Sequence, residues 1–213
     1  MGLFGKLFGN TDKESASNQE EANIGTFDKF LKIYPPSSDL IKPTQEMLDW
    51  YADKLPAELL DFWKEYGFGN YGNGIIKVVE PSHYMDSFYE WIGKKDFSKL
   101  PILVSAFGDI FYYRKLTEDA EDVSLLDIHY RKISVCDYSL ESFFKNYITD
   151  PEIAKELLKP QLFETANKDL GGLTADEIYF FNPALIMGGA EEQKYLGKGI
   201  GSVHQSLLFQ LGL

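Results

Sequence analysis

Residues 101–115 read Pro-Ile-Leu-Val-Ser-Ala-Phe-Gly-Asp-Ile-Phe-Tyr-Tyr-Arg-Lys, and this stretch decides the fold. The apolar runs on either side of Gly108-Asp109 predict two β-strands, because that pair suits a tight hairpin turn. Ile75–Val79 predicts a strand upstream, and Val123–His129 with Lys132–Val135 predicts a second pair downstream. We therefore expect one antiparallel-rich sheet in the middle of the chain.

Helical patterns flank this strand-rich part on both sides. Before it, apolar spacing and capping residues predict helices that begin after Thr44, at Pro56 and at Pro81-Ser82. After it, the same signals predict helices that begin after Ser139, at Pro151, at Pro160 and after Ser202. We expect an α+β protein with a central antiparallel-rich sheet flanked by helices and a helical C-terminal part.

Composition limits the kinds of partner. Hydrophobic residues make up 44% of the 213 residues and aromatic residues 15%, so most of the chain is expected to fold. The 33 acidic and 21 basic residues give a net charge of -12, which disfavours nucleic acid and anionic membranes and favours a basic protein. The single cysteine, Cys136, excludes an internal disulfide and favours a reducing compartment. No apolar run reaches the roughly 18 residues that a membrane-spanning helix needs.

The first residues differ from the rest of the chain. Met1–Gly9 reads MGLFGKLFG, which is too short for a signal-peptide core, and residues 10–25 are polar and typical of a linker. Four apolar side chains of the first stretch fall on one helical face: Leu3, Phe4, Leu7 and Phe8. We expect a flexible segment over residues 1–25, whose apolar start is either frayed or a small hydrophobic anchor.

The glycine-rich stretch Gly67–Gly74 reads GFGNYGNG and matches the spacing of the dinucleotide fingerprint. That fingerprint binds phosphate only when a strand precedes it and a helix follows, whereas here a helix precedes and a strand follows. We interpret the glycines and asparagines as positive-φ positions in a helix-to-strand turn. The alternative is a small-molecule or nucleotide-binding regulatory module that uses the 67–84 region, including His83 and Tyr84.

The sequence contains no recognisable catalytic or metal-binding grouping. His83, His129 and His204 are far apart, and none belongs to a spaced ligand or nucleophile motif. The pairs Asp176-Glu177 and Glu191-Glu192 are more typical of surface positions, because adjacent carboxylates rarely converge on one substrate. We therefore predict no enzymatic activity, no catalytic residues, no metal and no cofactor.

Three tyrosines lie next to loops or polar residues, where a partner surface would use them as anchors: Tyr71, Tyr84 and Tyr179. The alternative for these rings is partial burial at domain edges.

Two parts of the chain resemble a bacterial family. Four segments resemble the GAD-like domain: Leu55–Gly69 (LPAELLDFWKEYGFG), Gly72–Gly74, Val79–Tyr84 and Ala106–Phe111. Leu162–Gly189 is similar to the C-terminal domain that often accompanies it, and His204 with Leu207-Leu208 continues the likeness. The likeness spans roughly residues 27–212 in the expected order. The chain departs from the family's Tyr-Gly-Phe-x-Pro-Ala-Leu element at two positions. Phe180 stands where glycine is expected, and Asn182 stands where an acidic or apolar residue is expected.

The resemblance implies an immunity protein, or antitoxin, that neutralises a type VI secretion effector in the bacterial cytoplasm by stoichiometric protein–protein inhibition. The effector would be a basic toxin, commonly a DNase, and the chain itself would contact neither nucleic acid nor the membrane interior. The acidic charge agrees with this, since a nuclease presents a basic face to DNA. The implied parts are a GAD-like domain over residues 26–116 and an immunity C-terminal domain over residues 117–213.

The family likeness carries no toxin-contact motif, so the choice of contact residues rests on charge and aromatic character. The recognisable C-terminal segment offers carboxylates close in sequence to an aromatic anchor. We predict toxin contacts at Asp176, Glu177, Tyr179, Glu191 and Glu192.

Overall fold

The computed structural model describes residues 25–212 of the chain as a six-stranded antiparallel sheet with flanking helices and a separate two-stranded ribbon. The segment predicted to be flexible, residues 1–25, lies outside the described residues apart from Gly25, and so does the apolar Met1–Gly9 stretch. The prediction of an α+β protein with a central antiparallel sheet and a helical C-terminal part is confirmed.

Eight α-helices lie within residues 25–212: α1 (Asp28–Ile33), α2 (Gln45–Tyr51), α3 (Ala57–Glu65), α4 (Ser82–Ile92), α5 (Leu140–Ser142), α6 (Pro151–Leu158), α7 (Pro160–Leu170) and α8 (Gly201–Leu211). A π-helical turn, Phe143–Tyr147, continues α5. The strands are β1 (Gly69–Tyr71), β2 (Ile76–Val78), β3 (Lys99–Ser105), β4 (Ile110–Lys115), β5 (Glu121–Asp127), β6 (Lys132–Asp137), β7 (Glu177–Phe181) and β8 (Leu196–Ile200). None of these helices has the length and hydrophobicity that crossing a bilayer requires.

The sheet follows chain order from β1 to β6, and every neighbouring pair is antiparallel. The hairpin predicted around Gly108-Asp109 lies at its centre as β3 and β4. Because β5 and β6 complete the same sheet, the boundary predicted between residues 116 and 117 falls between two of its paired strands.

Both faces of the sheet are covered at β4, which explains the continuous apolar run of this strand. The Phe111 ring lies 5.7 Å from that of Phe143 in the π-helical turn, centroid to centroid. The next residue, Tyr112, points to the other face, and its ring lies 4.7 Å from that of Phe88 in α4. Since successive strand residues alternate between faces, a strand covered on both sides needs apolar side chains at every position.

Helix starts follow the sequence signals at most positions. The Thr44 hydroxyl oxygen accepts a hydrogen bond from the Met47 amide at 3.2 Å, and Ser139 accepts one from the Ser142 amide at 3.2 Å. The cap predicted at Ser202 is wrong: α8 begins at Gly201, and no side chain caps its first turn.

The ribbon of β7 and β8 was not predicted from the sequence. Its pairing runs from Glu177 opposite Ile200 to Phe181 opposite Leu196. The Tyr179 amide donates to the Ala106 carbonyl at 2.8 Å and so attaches the ribbon to the turn between β3 and β4. The C-terminal residues therefore pack directly on the sheet.

Strand β6 forms the last position of the sheet. Within residues 25–212 no strand pairs with its outer edge, and the side chains of Ile133 and Val135 are exposed. The opposite edge differs, because Pro36 and Ile41 bridge to Tyr71 and Phe68 beside β1.

Candidate functional site

The glycine-rich stretch forms a β-hairpin rather than a helix-to-strand turn. Strand β1 precedes a short turn at Gly72–Gly74, and β2 follows. Gly72, Asn73 and Gly74 have φ angles of 56°, 61° and 96°, a region that glycine and asparagine adopt most easily. The positive-φ interpretation is confirmed for the glycines and for Asn73 but not for Asn70, which lies in β1. No helix N-terminus follows the turn to receive a phosphate.

This hairpin forms one wall of a cleft of about 250 Å³, here called the central cleft. Its other walls come from α2, from the start of α4 and from the turn that precedes β7. Apolar side chains of Ile41, Met47 and Phe68 line much of it, and four polar residues converge on the remainder: Glu80, His83, Tyr84 and Asp176. Both family-like parts of the chain therefore contribute to one cleft.

Glu80 is buried and held in place by its neighbours. Its Oε1 accepts hydrogen bonds from the Tyr51 hydroxyl at 2.8 Å and from the Ser82 amide at 3.2 Å, and the Ser82 hydroxyl donates to Oε2. His83 Nε2 lies 3.3 Å from the same Oε2. Burial, and after it the bond to Glu80, raises the pKa of Tyr51. The carboxylate is thus a fixed negative group at the wall of the cleft.

Tyr84 and Asp176 make the other polar wall. Tyr84 is buried, and its hydroxyl has no hydrogen-bond partner among the described residues. Burial raises the pKa of the Tyr84 hydroxyl, and the charge of the Asp176 carboxylate raises it further. Asp176 itself is exposed and forms no ion pair within residues 25–212. It is a free carboxylate at the cleft entrance.

A buried lysine lies behind this wall. Lys77 in β2 is fully buried, and its Nζ has no hydrogen-bond partner among the described residues. Burial lowers the pKa of Lys77 to about 7, against the opposing effect of Glu177 and then Asp176. Its cross-strand neighbour Asn70 donates from Nδ2 to the Leu173 carbonyl at 2.7 Å. The contact between the hairpin and the turn before β7 is therefore polar.

The three tyrosines considered as surface anchors are all buried, so the structure favours the alternative of burial over a role as anchors. The Tyr71 hydroxyl donates to the Gly67 carbonyl at 2.8 Å, and the Tyr179 hydroxyl donates to the Gly171 carbonyl at 2.8 Å. Tyr179 was also predicted as a toxin contact. Its ring packs instead beside Phe107 and Phe163 in the core, because backbone carbonyls satisfy its hydroxyl there.

Three of the four predicted acidic contacts already have basic partners. Glu177 lies 3.7 Å from Lys198, Glu191 lies 3.4 Å from Lys159, and Glu192 lies 2.9 Å from Lys194. Glu177 also accepts the Thr174 amide at 3.0 Å, and this bond is the first cause of its lowered pKa. Asp176 is the predicted contact whose carboxylate forms no ion pair within residues 25–212.

The structure separates the two acidic pairs instead of bringing them together. Glu177 stands at one end of the β7–β8 ribbon, while Glu191 and Glu192 precede β8 at the other end. Four strand steps amount to about 13 Å. The pairs therefore present two separate acidic points, of which Asp176 alone reaches the central cleft.

Sequence reasoning missed a second depression of about 350 Å³, here called the aromatic groove. Its main lining residues are Glu46, Met47, Trp50, Met85 and Phe97, and it shares Met47 and Glu80 with the central cleft. One sequence signal was present: Trp50 lies at the edge of the apolar stripe of α2, three positions after Met47 and four after Glu46. A large ring at the border between the apolar and polar sides of a helix indicates partial exposure.

Two family models match the chain. Residues 25–126 match the GAD-like domain, and residues 138–212 match the C-terminal domain of T6SS immunity protein Tdi1, where T6SS denotes a type VI secretion system. No curated protein matches the chain.

Among solved structures, the chain is similar to that described as the crystal structure of Atu4351 from Agrobacterium tumefaciens. The TM-score is 0.67, with 18% sequence identity over 86% of this chain and 88% of that chain. At this identity the likeness shows the fold alone. By the two family matches, this chain belongs to the proteins in which a GAD-like domain precedes the C-terminal domain of a Tdi1-type T6SS immunity protein.

Proposed function

We propose that this chain binds a cognate type VI secretion toxin, a nuclease, and neutralises it by forming a stoichiometric complex in the bacterial cytoplasm. The observation that carries the proposal is the match of residues 138–212 to an immunity-protein domain. An immunity role implies a toxin as partner and requires binding rather than turnover.

Charge supports a basic partner. The net charge of -12 favours encounter with a protein that presents a positive face, as a nuclease does to its substrate. The same charge repels the phosphates of DNA, so an inhibitor of this composition would occupy the toxin rather than its substrate.

The acidic contact residues remain part of the proposal. We place Asp176 first among them, because its carboxylate is exposed and unpaired within the described residues. Glu177, Glu191 and Glu192 would each have to exchange a lysine partner within this chain for a basic group of the toxin. The Glu192–Lys194 pair is exposed, and a pair of that kind contributes about 0–1 kcal/mol, so its exchange is not a large barrier. The other two pairs are partly covered and exchange less easily.

The central cleft favours one second candidate, a small-molecule regulatory module that uses the 67–84 region. Glu80 and Asp176 disfavour a phosphate-bearing ligand, and the cleft would suit a small cationic one. Thermal-shift measurements with nucleotides and with small amines separate this candidate from the first. A ligand at a hundred times its dissociation constant adds about 2.7 kcal/mol of stability.

Growth rescue tests the leading proposal. The product of the adjacent gene is expressed in a sensitive host with and without this chain, and viability and chromosomal DNA integrity are scored. Rescue together with protection of DNA is the expected result. Rescue with DNA intact in both cultures would keep the immunity role and replace the nuclease by another toxin class. A toxic neighbour that this chain fails to block would overturn the proposal for that pair.

A further inference from the structure

We propose that the aromatic groove is the surface that anchors the toxin, and that it accepts an apolar side chain flanked by lysine or arginine. This inference rests on the proposed function and adds the place and chemistry of binding to it.

Two half-exposed aromatic rings define the groove. Trp50 is 45% exposed and Phe97 is 48% exposed, and their ring centroids lie 5.5 Å apart in an edge-to-face arrangement. Tyr51 stacks edge-on against Trp50 at 4.8 Å. Tryptophan and tyrosine are enriched among the residues that dominate binding energy at protein interfaces. An exposed pair of large rings inside a depression therefore indicates a contact surface.

The rings are held in place before a partner arrives. Lys54 Nζ lies 4.1 Å from the centroid of the Trp50 ring and also 2.6 Å from Asp53. These contacts restrict the Trp50 rotamer, so less conformational entropy is lost on binding. The thioethers of Met47 and Met85 line the same groove and adapt their shape to an inserted side chain.

The charges around the rings favour basic residues on either side of the inserted apolar side chain. Glu46 and Glu80 line the groove, and the Lys54 ammonium that lies over the Trp50 ring is paired with Asp53. Glu46 is exposed and forms no ion pair within residues 25–212. Asp176 stands across the central cleft, which shares Met47 and Glu80 with the groove. A basic segment with one apolar anchor fits this arrangement, and an acidic peptide or a nucleic acid does not.

The test measures binding of the purified product of the adjacent gene to the full chain by calorimetry. Trp50→Ala and Phe97→Ala are each expected to raise the dissociation constant by about thirtyfold or more. Glu46→Lys is expected to raise it about tenfold by placing like charges together. The matched control is Tyr138→Ala, which removes a 78% exposed ring outside the groove and should leave the dissociation constant within about twofold.

Tryptophan emission gives a readout of position. Burial of Trp50 by the partner should shift the emission of the wild-type protein to shorter wavelength. Trp50→Phe should remove most of that shift, because Trp63 is already buried and Trp91 is partly covered. A shift that persists unchanged in Trp50→Phe would place the partner elsewhere.

The outcomes separate the groove from the function. A wild-type chain that neither binds nor protects against the toxin would overturn the proposed function and the groove with it. A wild-type chain that binds, with Trp50→Ala, Phe97→Ala and Glu46→Lys binding equally well, would overturn the groove alone. If the ring variants fail to fold, Glu46→Lys decides by itself. A wild-type dimer that Trp50→Ala dissociates would assign the groove to a second copy instead.

Discussion

Lys77 places an amino group inside the sheet without a hydrogen-bond partner among the described residues. Burial lowers its pKa from 10.5 to about 7 in the folded chain. Between these two values the unfolded chain holds a proton that the folded chain has released, so the free energy of unfolding rises with pH. Below pH 7 both states are protonated, and the full cost of burying the charge is present.

Replacing Lys77 by methionine is therefore expected to stabilise the protein, most of all below pH 7. The wild-type free energy of unfolding should rise by up to about 1.4 kcal/mol per pH unit above pH 7, while Lys77→Met should lack this slope. Urea unfolding at about pH 6, 8 and 10 measures both effects. Lys132→Met, at an exposed position in β6, is the matched control. Parallel curves for wild type and Lys77→Met would show that Lys77 stays charged in the folded state.

His204 predicts a second pH effect at the acidic side. Its ring stacks on Phe180 at 4.2 Å, and burial, followed by the charge of His129, lowers its pKa from 6.5 to about 4. Between these values the unfolded chain binds the extra proton, so stability falls as the pH drops from 6.5 to 4. His204→Gln should lose less stability over this window than wild type, by urea unfolding. Val203→Gln, at an exposed and non-titrating position of the same helix, should follow the slope of the wild-type curve, and a His204→Gln curve of equal slope would contradict the assignment.

The burial of Tyr71 and Tyr179 could not be predicted from the sequence. Tyr71 and Tyr179 looked like surface anchors, since each adjoins polar or glycine-rich sequence. Their hydroxyls are instead satisfied by the carbonyls of Gly67 and Gly171, in loops that fold back over the rings. A sequence shows the polar hydroxyl but not which backbone carbonyl will meet it, so burial of a tyrosine beside a loop is not readable from pattern alone.

Among the elements, α8 depends on one buried amide. Gln205 Nε2 donates to the Gly108 carbonyl at 2.8 Å, and its Oε1 accepts the Ser87 hydroxyl at 2.8 Å. The Trp91 indole donates to the Gln205 carbonyl at 3.1 Å. One side chain thus connects the last helix to α4 and to the central hairpin of the sheet.

Gln205→Ala is expected to lower the free energy of unfolding by about 2–4 kcal/mol, since it leaves buried polar groups unpaired and creates a cavity. The midpoint of urea unfolding measures the change. Gln210→Ala is the matched control, because it changes helix propensity by the same amount as Gln205→Ala but removes an exposed side chain. It should shift the midpoint little. Equal losses in the two variants would mean that propensity, not the buried contacts, holds α8.

Strands were predicted correctly where apolar side chains alternate with polar ones or form a continuous apolar stretch. A strand was missed where glycines take the place of apolar residues. The hairpin of β3 and β4 was predicted because its flanks are apolar and its turn is Gly-Asp. Strand β8 reads Leu-Gly-Lys-Gly-Ile and lacks that signal. The Phe180 ring requires glycine at 197, since a Cβ there would lie 2.5 Å from it, and it crowds a Cβ at 199, at 3.3 Å. That requirement comes from β7, which is distant in sequence, so the residues around Gly197 do not reveal it.

For the whole molecule, net charge predicts how fast a basic partner arrives. The charge of -12 should make the association rate with the adjacent-gene product fall as salt rises, because the screening length is about 10 Å at 0.1 M salt. Stopped-flow mixing over a range of salt concentrations measures this. Asp176→Lys combined with Glu177→Lys should flatten the salt dependence, and an association rate independent of salt in wild type would contradict electrostatic steering.

The fold class could be predicted because strands and helices occupy separate parts of the chain. The packing of the C-terminal part on the sheet could not, because it depends on distant contacts such as the Tyr179 amide with the Ala106 carbonyl. The candidate site shows the same limit. Asp176 was predicted from its charge, whereas the aromatic groove combines Trp50 with Phe97, which come together only after α2 and the loop after α4 have packed.

The outer edge of β6, which no strand of residues 25–212 covers, has a consequence for the protein in concentrated solution. Its backbone groups and the exposed Ile133 and Val135 offer a template on which a second β6 edge can add. At low ionic strength the charge of -12 on every copy keeps such edges apart. Added salt removes that repulsion while leaving the edge intact, so we expect colloidal solubility to decline with ionic strength.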